Sequence, residues 1–235
     1  MLKYQKVANK IQKHIYDNEL PEGTRLPTVE NLASDFNVSK STIVKALECL
    51  VSNGVVFQVQ GSGIFVRRRN KTGYINLNLT TGFTTTLKDF KITSKVLDFK
   101  LITPSEDIAQ LLECSAGDSV YFIKRIRYIN GEIMCLEESY YKQSIVPYLT
   151  KEIVDNSIFE YLKFALNLNL GFSDRYLHID KLDKEFADIL KLNTGDPTLK
   201  VYEHIYLSSG LIFNYSILTY NYKHAQFYLQ SGSLK

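Results

Sequence analysis

Apolar positions recur with two different periods along this chain, and the change of period divides it. Near the N-terminus Tyr4, Val7, Ala8, Ile11 and Ile15 fall at helical spacing, which predicts a helix over residues 2–17 whose other face carries Lys3, Lys6, Lys10 and Lys13. Pro21 and Gly23 lie beyond its end, as helix breakers do. Pro27 and Thr28 open a second, short helix, with Thr28 as its expected N-cap and Leu32, Ala33 and Phe36 as its inward side. After Asn37-Val38, Ser39 caps a third helix with Ile43, Leu47 and Leu50 on one face and Ser41, Lys45, Glu48 and Ser52 on the other. Gly54 stops it, and residues 55–59, the turn Gln60-Gly61-Ser62-Gly63 and residues 64–66 read as strand, turn and strand.

From residue 74 onward short apolar stretches alternate with helical ones. Strands are expected at 96–103, 119–129, 133–142, 171–180, 198–208 and 211–222, and helices at 83–90, 105–113, 157–166 and 183–191. Asn130-Gly131 and Ser208-Ser209-Gly210 are hairpin signals, so the sheet is expected to be mainly antiparallel with flanking helices. The fold class is α+β. The polar run Arg67-Arg68-Arg69-Asn70-Lys71-Thr72-Gly73 marks a connector, which sets the expected domains at 1–68 and 74–235 with a linker at 69–73.

At 235 residues, 45% hydrophobic and 23% charged, the chain is long and apolar enough to bury a core. No apolar run approaches the roughly 20 residues of a membrane helix, and the N-terminus has no signal-peptide centre, so a soluble cytoplasmic protein with no membrane partner is expected. Cys49, Cys114 and Cys135 form no C-x-x-C pair, and the four histidines lack a metal-binding spacing. Neither a metal, a catalytic set nor a cofactor is expected. Net charge is +3, but residues 1–70 hold ten Lys and Arg against six Asp and Glu, whereas the remainder holds 18 against 19. The cationic excess therefore lies in the segment with the three helices and the hairpin.

Two helices joined by a tight connection, the second opening with hydroxyls and a cation, followed by a wing-like hairpin, suit docking in the major groove of double-stranded DNA. Leu26-Pro27-Thr28, Val38-Ser39-Lys40-Ser41-Thr42, Ala46-Leu47, Leu50, Gly54 and Gln60-Gly61-Ser62-Gly63-Ile64-Phe65-Val66 resemble the winged helix-turn-helix domain of the GntR family of bacterial transcription regulators. The resemblance implies operator contacts from Ser39, Lys40, Ser41 and Thr42 and from Gly61 at the wing tip. Two positions depart from it. Glu30 and Val44 stand where the family usually has arginines, so an operator unlike the usual one is expected, with Lys45 partly replacing the lost cation and Val44 suited to a thymine methyl. Reading two half-sites implies a homodimer.

In the second half, Tyr121, Ile123, Arg125, Arg127 and Ile129 share one face of a strand, and two guanidiniums on a half-buried face need an anion. That anion is either a carboxylate of the chain, Glu137 or Glu138, or a small ligand. A two-residue Asn130-Gly131 loop puts Glu138 on the arginine face; a three-residue bulged loop puts Glu137 there. The string Arg125-Ile126-Arg127-Tyr128, Gly131, Glu137 and Tyr140 resembles the UTRA effector-binding domain of the HutC subfamily, a chorismate-lyase-like fold. The resemblance favours Glu137. It implies that Arg125, Arg127 and Glu137, with Thr84, Thr85, Ser157, Phe159 and Tyr220, hold a small anionic effector, a sugar phosphate being favoured, and that the protein is a repressor released by it. An enzyme acting on a small anionic substrate, with Glu137 or Glu138 as base, is the alternative.

Overall fold

The computed structural model describes residues 2–67, 73–77, 90–115 and 117–229. They form two compact units, one holding residues 2–67 and 228–229 and the other 73–227.

In the first unit α1 (Lys3–Asp17), α2 (Val29–Asp35) and α3 (Lys40–Ser52) precede the hairpin of β1 (Val56–Val59) and β2 (Gly63–Val66). Val7, Ala8, Ile11 and Ile15 of α1 share a core with Ile43, Ala46, Leu47 and Leu50 of α3, so the helical stripes read from the sequence meet each other. The two caps are formed as expected: Thr28 Oγ1 accepts from the Asn31 amide at 3.3 Å and Ser39 Oγ from the Thr42 amide at 3.3 Å. Val56 and Val66 close the core from the hairpin side. The Leu26 amide donates to the Ile64 carbonyl at 2.8 Å and the Val66 amide to the Thr24 carbonyl at 2.8 Å, which anchors the wing on the segment before α2. Gly61 turns its exposed tip at φ +76°, where a side chain is strained even though space is open.

The second unit is a six-stranded antiparallel sheet in the order β4-β5-β6-β9-β8-β7. Its strands are β4 (Ile92–Ile102), β5 (Val120–Ile129), β6 (Glu132–Lys142), β7 (Leu170–Lys181), β8 (Pro197–Leu207) and β9 (Ile212–Tyr220). Short strands β3 (Tyr74–Asn76) and β10 (Gln226–Tyr228) pair with each other. Helices α4 (Glu106–Leu111), α5 (Lys151–Asp155), α6 (Ile158–Glu160) and α7 (Lys184–Leu190) flank the sheet. On one face Ala187 and Leu190 cluster with Ile126 and Leu136; on the other Val154 and Ile158 cluster with Tyr121 and Ile123. Both faces of β5 and β6 are thereby covered.

Several expectations are corrected. Asn130 (φ 51°) and Gly131 (φ 89°) do form a two-residue turn between the paired Ile129 and Glu132, yet Glu137 and not Glu138 faces the arginines. The parity shift comes from inside β6: Tyr128 pairs with Ile133 but Arg127 with Cys135, so Met134 is a bulged extra residue. Neither loop length foreseen from the sequence describes this arrangement. The expected helix at 157–166 is a single turn, α6, running into a π-helical turn at Tyr161–Ala165, where the Leu166 amide reaches the Tyr161 carbonyl at 3.1 Å. Strand β4 starts at Ile92, because the polar stretch Thr93-Ser94-Lys95 gains its ladder from β5 although it lacks an apolar pattern. Helix α5 and strands β3 and β10 were not foreseen, being too short to show a period. The helix expected at 83–90 lies almost wholly outside the described residues, as do Thr84 and Thr85.

Candidate functional site

At the start of α3, Ser39 Oγ lies 3.0 Å from Ser41 Oγ and 2.8 Å from Thr42 Oγ1, so the three hydroxyls form one cluster over the helix N-terminus. Ser39, Lys40, Ser41 and Lys45 are exposed, while Thr42 is half-buried. The face opposite the core also exposes Val44. Gly61 is exposed at the wing tip. Lys40 Nζ lies 2.9 Å from Glu30 Oε1, which pulls the Glu30 carboxyl below its usual value through that hydrogen bond. Glu30, which stands where the family usually has an arginine, thus carries its carboxylate on Lys40.

The second cluster is assembled by the sheet. Directly opposed residues of antiparallel strands share a face. Arg125 of β5, Glu137 of β6 and Leu218 of β9 make one such row; Arg127, Cys135 and Tyr220 make the next. Arg125, Arg127, Glu137 and Tyr220 are all buried. Arg125 grips Glu137 with two parallel bonds, Nε to Oε2 at 2.9 Å and Nη2 to Oε1 at 3.0 Å, and its Nη1 donates to the Val154 carbonyl at 2.9 Å. Arg127 Nη1 stands 3.9 Å from Glu137 Oε2. Two guanidiniums and one carboxylate give this trio a formal charge of +1.

The electrostatics follow from that composition. Burial pushes the Glu137 carboxyl up, but Arg125, Arg127 and the Ser139 hydroxyl outweigh it and hold it at about 2. Burial and the neighbouring Arg125 guanidinium lower the pKa of Arg127, against the pull of Glu137.

The Arg125–Val154 bond fixes the end of α5 on the arginine face. Three residues later Ser157 caps α6, accepting from the Glu160 amide at 3.3 Å, and Phe159 packs against the apolar cluster of Tyr121 and Ile123. The structure thus brings Arg125, Arg127, Glu137 and Tyr220 together on one face, with the Ser157–Phe159 segment packed against it. Tyr220 itself is edge-on to Phe227 at 4.7 Å.

Sequence reasoning missed the polar row beside the trio. Ser139 Oγ donates to Glu137 Oε1 at 3.0 Å, Ser216 Oγ lies 3.0 Å from Ser139 Oγ, and Asn214 Oδ1 lies 2.9 Å from Ser216 Oγ. The same row continues to Glu203 and Arg175, joined Nε to Oε1 at 2.7 Å, and Arg175 also donates to the Leu77 carbonyl. The available signal was Glu137-x-Ser139 and Asn214-x-Ser216, polar residues at period two inside otherwise apolar strands.

Residues 3–66 match the family described as bacterial regulatory proteins, gntR family, and residues 88–226 match the UTRA domain. The chain belongs to the GntR family. This GntR-family protein is 46% identical over 233 residues to the uncharacterized HTH-type transcriptional regulator YydK of Bacillus subtilis (strain 168), over 99% of both chains. The crystal structure of YydK superposes with a TM-score of 0.91 at 44% identity, covering 97% of this chain and 100% of that one. The mannosyl-D-glycerate transport/metabolism system repressor MngR of Escherichia coli (strain K12) is 29% identical over 220 residues, 93% of this chain and 91% of MngR. The effector binding domain of the B. subtilis trehalose repressor TreR matches with a TM-score of 0.55 and 28% identity, over 61% of this chain and 99% of that domain. The protein is thus a transcription regulator of the HutC type and not an enzyme, with a DNA-binding helix-turn-helix and a UTRA effector-binding domain. No helix among the described residues is long and apolar enough to cross a membrane.

Proposed function

We propose that the protein is a cytoplasmic, homodimeric repressor that leaves its operator when a small anionic metabolite, a sugar phosphate in first place, binds the UTRA domain. The observation that carries the reading is the buried trio of Arg125, Arg127 and Glu137, with two cations to one carboxylate. Two guanidiniums side by side on one sheet face suit a phosphate, whose oxygens accept from both. Glu137, fully ionised at neutral pH, accepts from ligand hydroxyls while Arg125 keeps it in place. Thr84, Thr85, Ser157, Phe159 and Tyr220 complete the proposed effector contacts. MngR and TreR are repressors whose names refer to sugar compounds, which supports a sugar-derived effector here.

On the DNA side, Ser39, Lys40, Ser41, Thr42 and Lys45 meet the major groove and Gly61 lets the wing tip approach the backbone. The DNA-binding domain takes residues 1–68 and the sensor 74–235, with 69–73 transmitting the effector's preference for one arrangement of the two DNA-binding domains.

Fluorescence anisotropy with DNA from upstream of the protein's own gene and with a scrambled duplex, at two salt concentrations, tests the reading. A specific complex exceeds the non-specific one by ~10³-fold or more. Sugar phosphates are then screened for release of the operator, and Arg127→Ala is expected to abolish release while operator binding persists. A ratio near one, or release unchanged in Arg127→Ala, overturns the corresponding half of the proposal.

A further inference from the structure

The wing is wider than its two strands. Arg25 pairs with Phe65 as an antiparallel bridge, flanked by the bonds from the Leu26 amide to the Ile64 carbonyl and from the Val66 amide to the Thr24 carbonyl. Residues 24–26 therefore lie along β2 as a short third edge. Directly opposed residues of antiparallel neighbours share a face, so Arg25, Phe65 and Phe57 form one row, with the two rings stacked at 5.6 Å. One row nearer the tip, on the same face, Val59 pairs with Gly63. Gly63 leaves a gap in that row, and the Arg25 side chain occupies it. A Cβ on Gly63 would stand 2.9 Å from Arg25 Nε, 3.4 Å from Nη2 and 3.5 Å from Cζ. Its φ of +124° is a second reason for glycine there. The guanidinium is thereby laid along β2 towards the Gln60-Gly61-Ser62 turn. Arg25 is exposed, and among the described residues no carboxylate holds it, whereas Lys40 is engaged by Glu30.

We infer that Arg25 enters the minor groove of the operator beside the wing tip and distinguishes A·T from G·C pairs there, with Gly63 as the positioning residue that seats it. This rests on the proposed approach of the wing to DNA and names the residue that reads at that contact. The minor groove is about 6 Å wide. A tip of Gly61, Ser62 and Gly63 has little side-chain bulk to keep it out, and a guanidinium seated on Gly63 goes in with it. A·T-rich stretches narrow the groove and strengthen its negative potential, which draws in arginine, whereas the N2 amino group of guanine is a donor that a guanidinium cannot accept from. The hydroxyls at the start of α3 and Val44 do not supply this discrimination, because their proposed contacts are in the major groove.

Anisotropy titrations of the full-length protein on its operator test this. Each A·T pair is replaced in turn by G·C and by inosine·C, which differ from each other only in the minor-groove amino group. At the positions under the wing the wild type is expected to bind the G·C duplex about tenfold more weakly than the inosine·C duplex. Arg25→Ala should bind both alike, with an unchanged melting temperature. Arg25→Lys keeps the charge, and with it the salt slope, but loses most of the discrimination. Gly63→Ala, which removes the seat, should lose the discrimination too, and should cause no further loss of it in an Arg25→Ala background. A wild type that binds its operator specifically yet treats the two pairs alike at every position overturns the inference, as does an Arg25→Ala that keeps the preference. An Arg25→Ala that weakens on every duplex equally, with the salt slope reduced by about 0.9, puts Arg25 on a phosphate and overturns the groove contact. Absence of any specific complex with the wild type removes the DNA proposal itself, and this contact with it.

Discussion

Lys40, the first residue of α3, is held 2.9 Å from Glu30 in the first turn of α2, so a cation proposed to meet DNA is already engaged by the chain's own carboxylate. Both side chains are exposed, and the pair is cheap to break. Its consequence is for DNA and not for folding. Glu30→Gln frees Lys40 for a phosphate and is expected to tighten binding to specific and scrambled duplexes alike, steepening the salt slope by about 0.9. The melting temperature should not move. Anisotropy titrations across salt concentrations check this; an unchanged slope means that Lys40 already reaches the backbone with Glu30 attached.

Ser39 serves two roles that substitution separates. Its hydroxyl caps α3 through the Thr42 amide and sits among the hydroxyls over the helix N-terminus. Ser39→Ala loses the cap, at about 1 kcal/mol of stability, together with DNA affinity. Ser39→Asp keeps the cap and should restore the denaturation midpoint, yet its carboxylate faces phosphates and DNA binding should fall further. Chemical denaturation and anisotropy on the two variants give the comparison.

Val44 is 43% exposed on the outer face of α3, where only an apolar contact is available. If it meets a thymine methyl, replacing that thymine with uracil in the operator removes about 0.8 kcal/mol, roughly fourfold in affinity. The same replacement should leave Val44→Ala indifferent. Scanning each thymine of the operator in turn locates the contact, and a wild type insensitive at every position excludes it.

Glu137 sets a pH dependence. Burial raises its pKa, the two arginines and Ser139 lower it more, and the folded-state value of about 2 lies below the ordinary 4.5. A depressed carboxylate contributes stability in full above its unfolded pKa and loses it as pH falls towards the folded one, here from about 4.5 to about 2. Glu137→Gln should be less stable at neutral pH by about 3–5 kcal/mol, because two guanidiniums stay buried without their carboxylate. Urea midpoints of the two proteins should converge as pH drops through that window. Parallel curves mean that Glu137 contributes no pH dependence of its own.

Much of this was legible from local sequence, and its limits are equally specific. The helices of the first unit, both hydroxyl caps and the wing follow from 3.6-residue stripes, hydroxyls before helices and glycines at a tip. The shared face of Arg125 and Arg127 follows from strand periodicity alone. The Asn130-Gly131 hairpin and the antiparallel sheet were also legible, but not the side-chain contacts carried between strands. The polar row from Ser139 through Ser216 to Glu203 and Arg175 spans four strands, and no one of them shows it.

The sequence by itself thus determined the elements, the α+β class and the pairing of two cations on one strand face, since each depends on residues a few positions apart. Periodicity left open which carboxylate meets those cations, though the resemblance favoured Glu137; tertiary structure decided it, and decided which cation meets Glu30. One bulged residue, Met134, turns Glu137 inward and Glu138 outward, and the packing of α2 beside α3 brings Glu30 to Lys40. Both depend on register and packing between elements, which local periodicity does not encode.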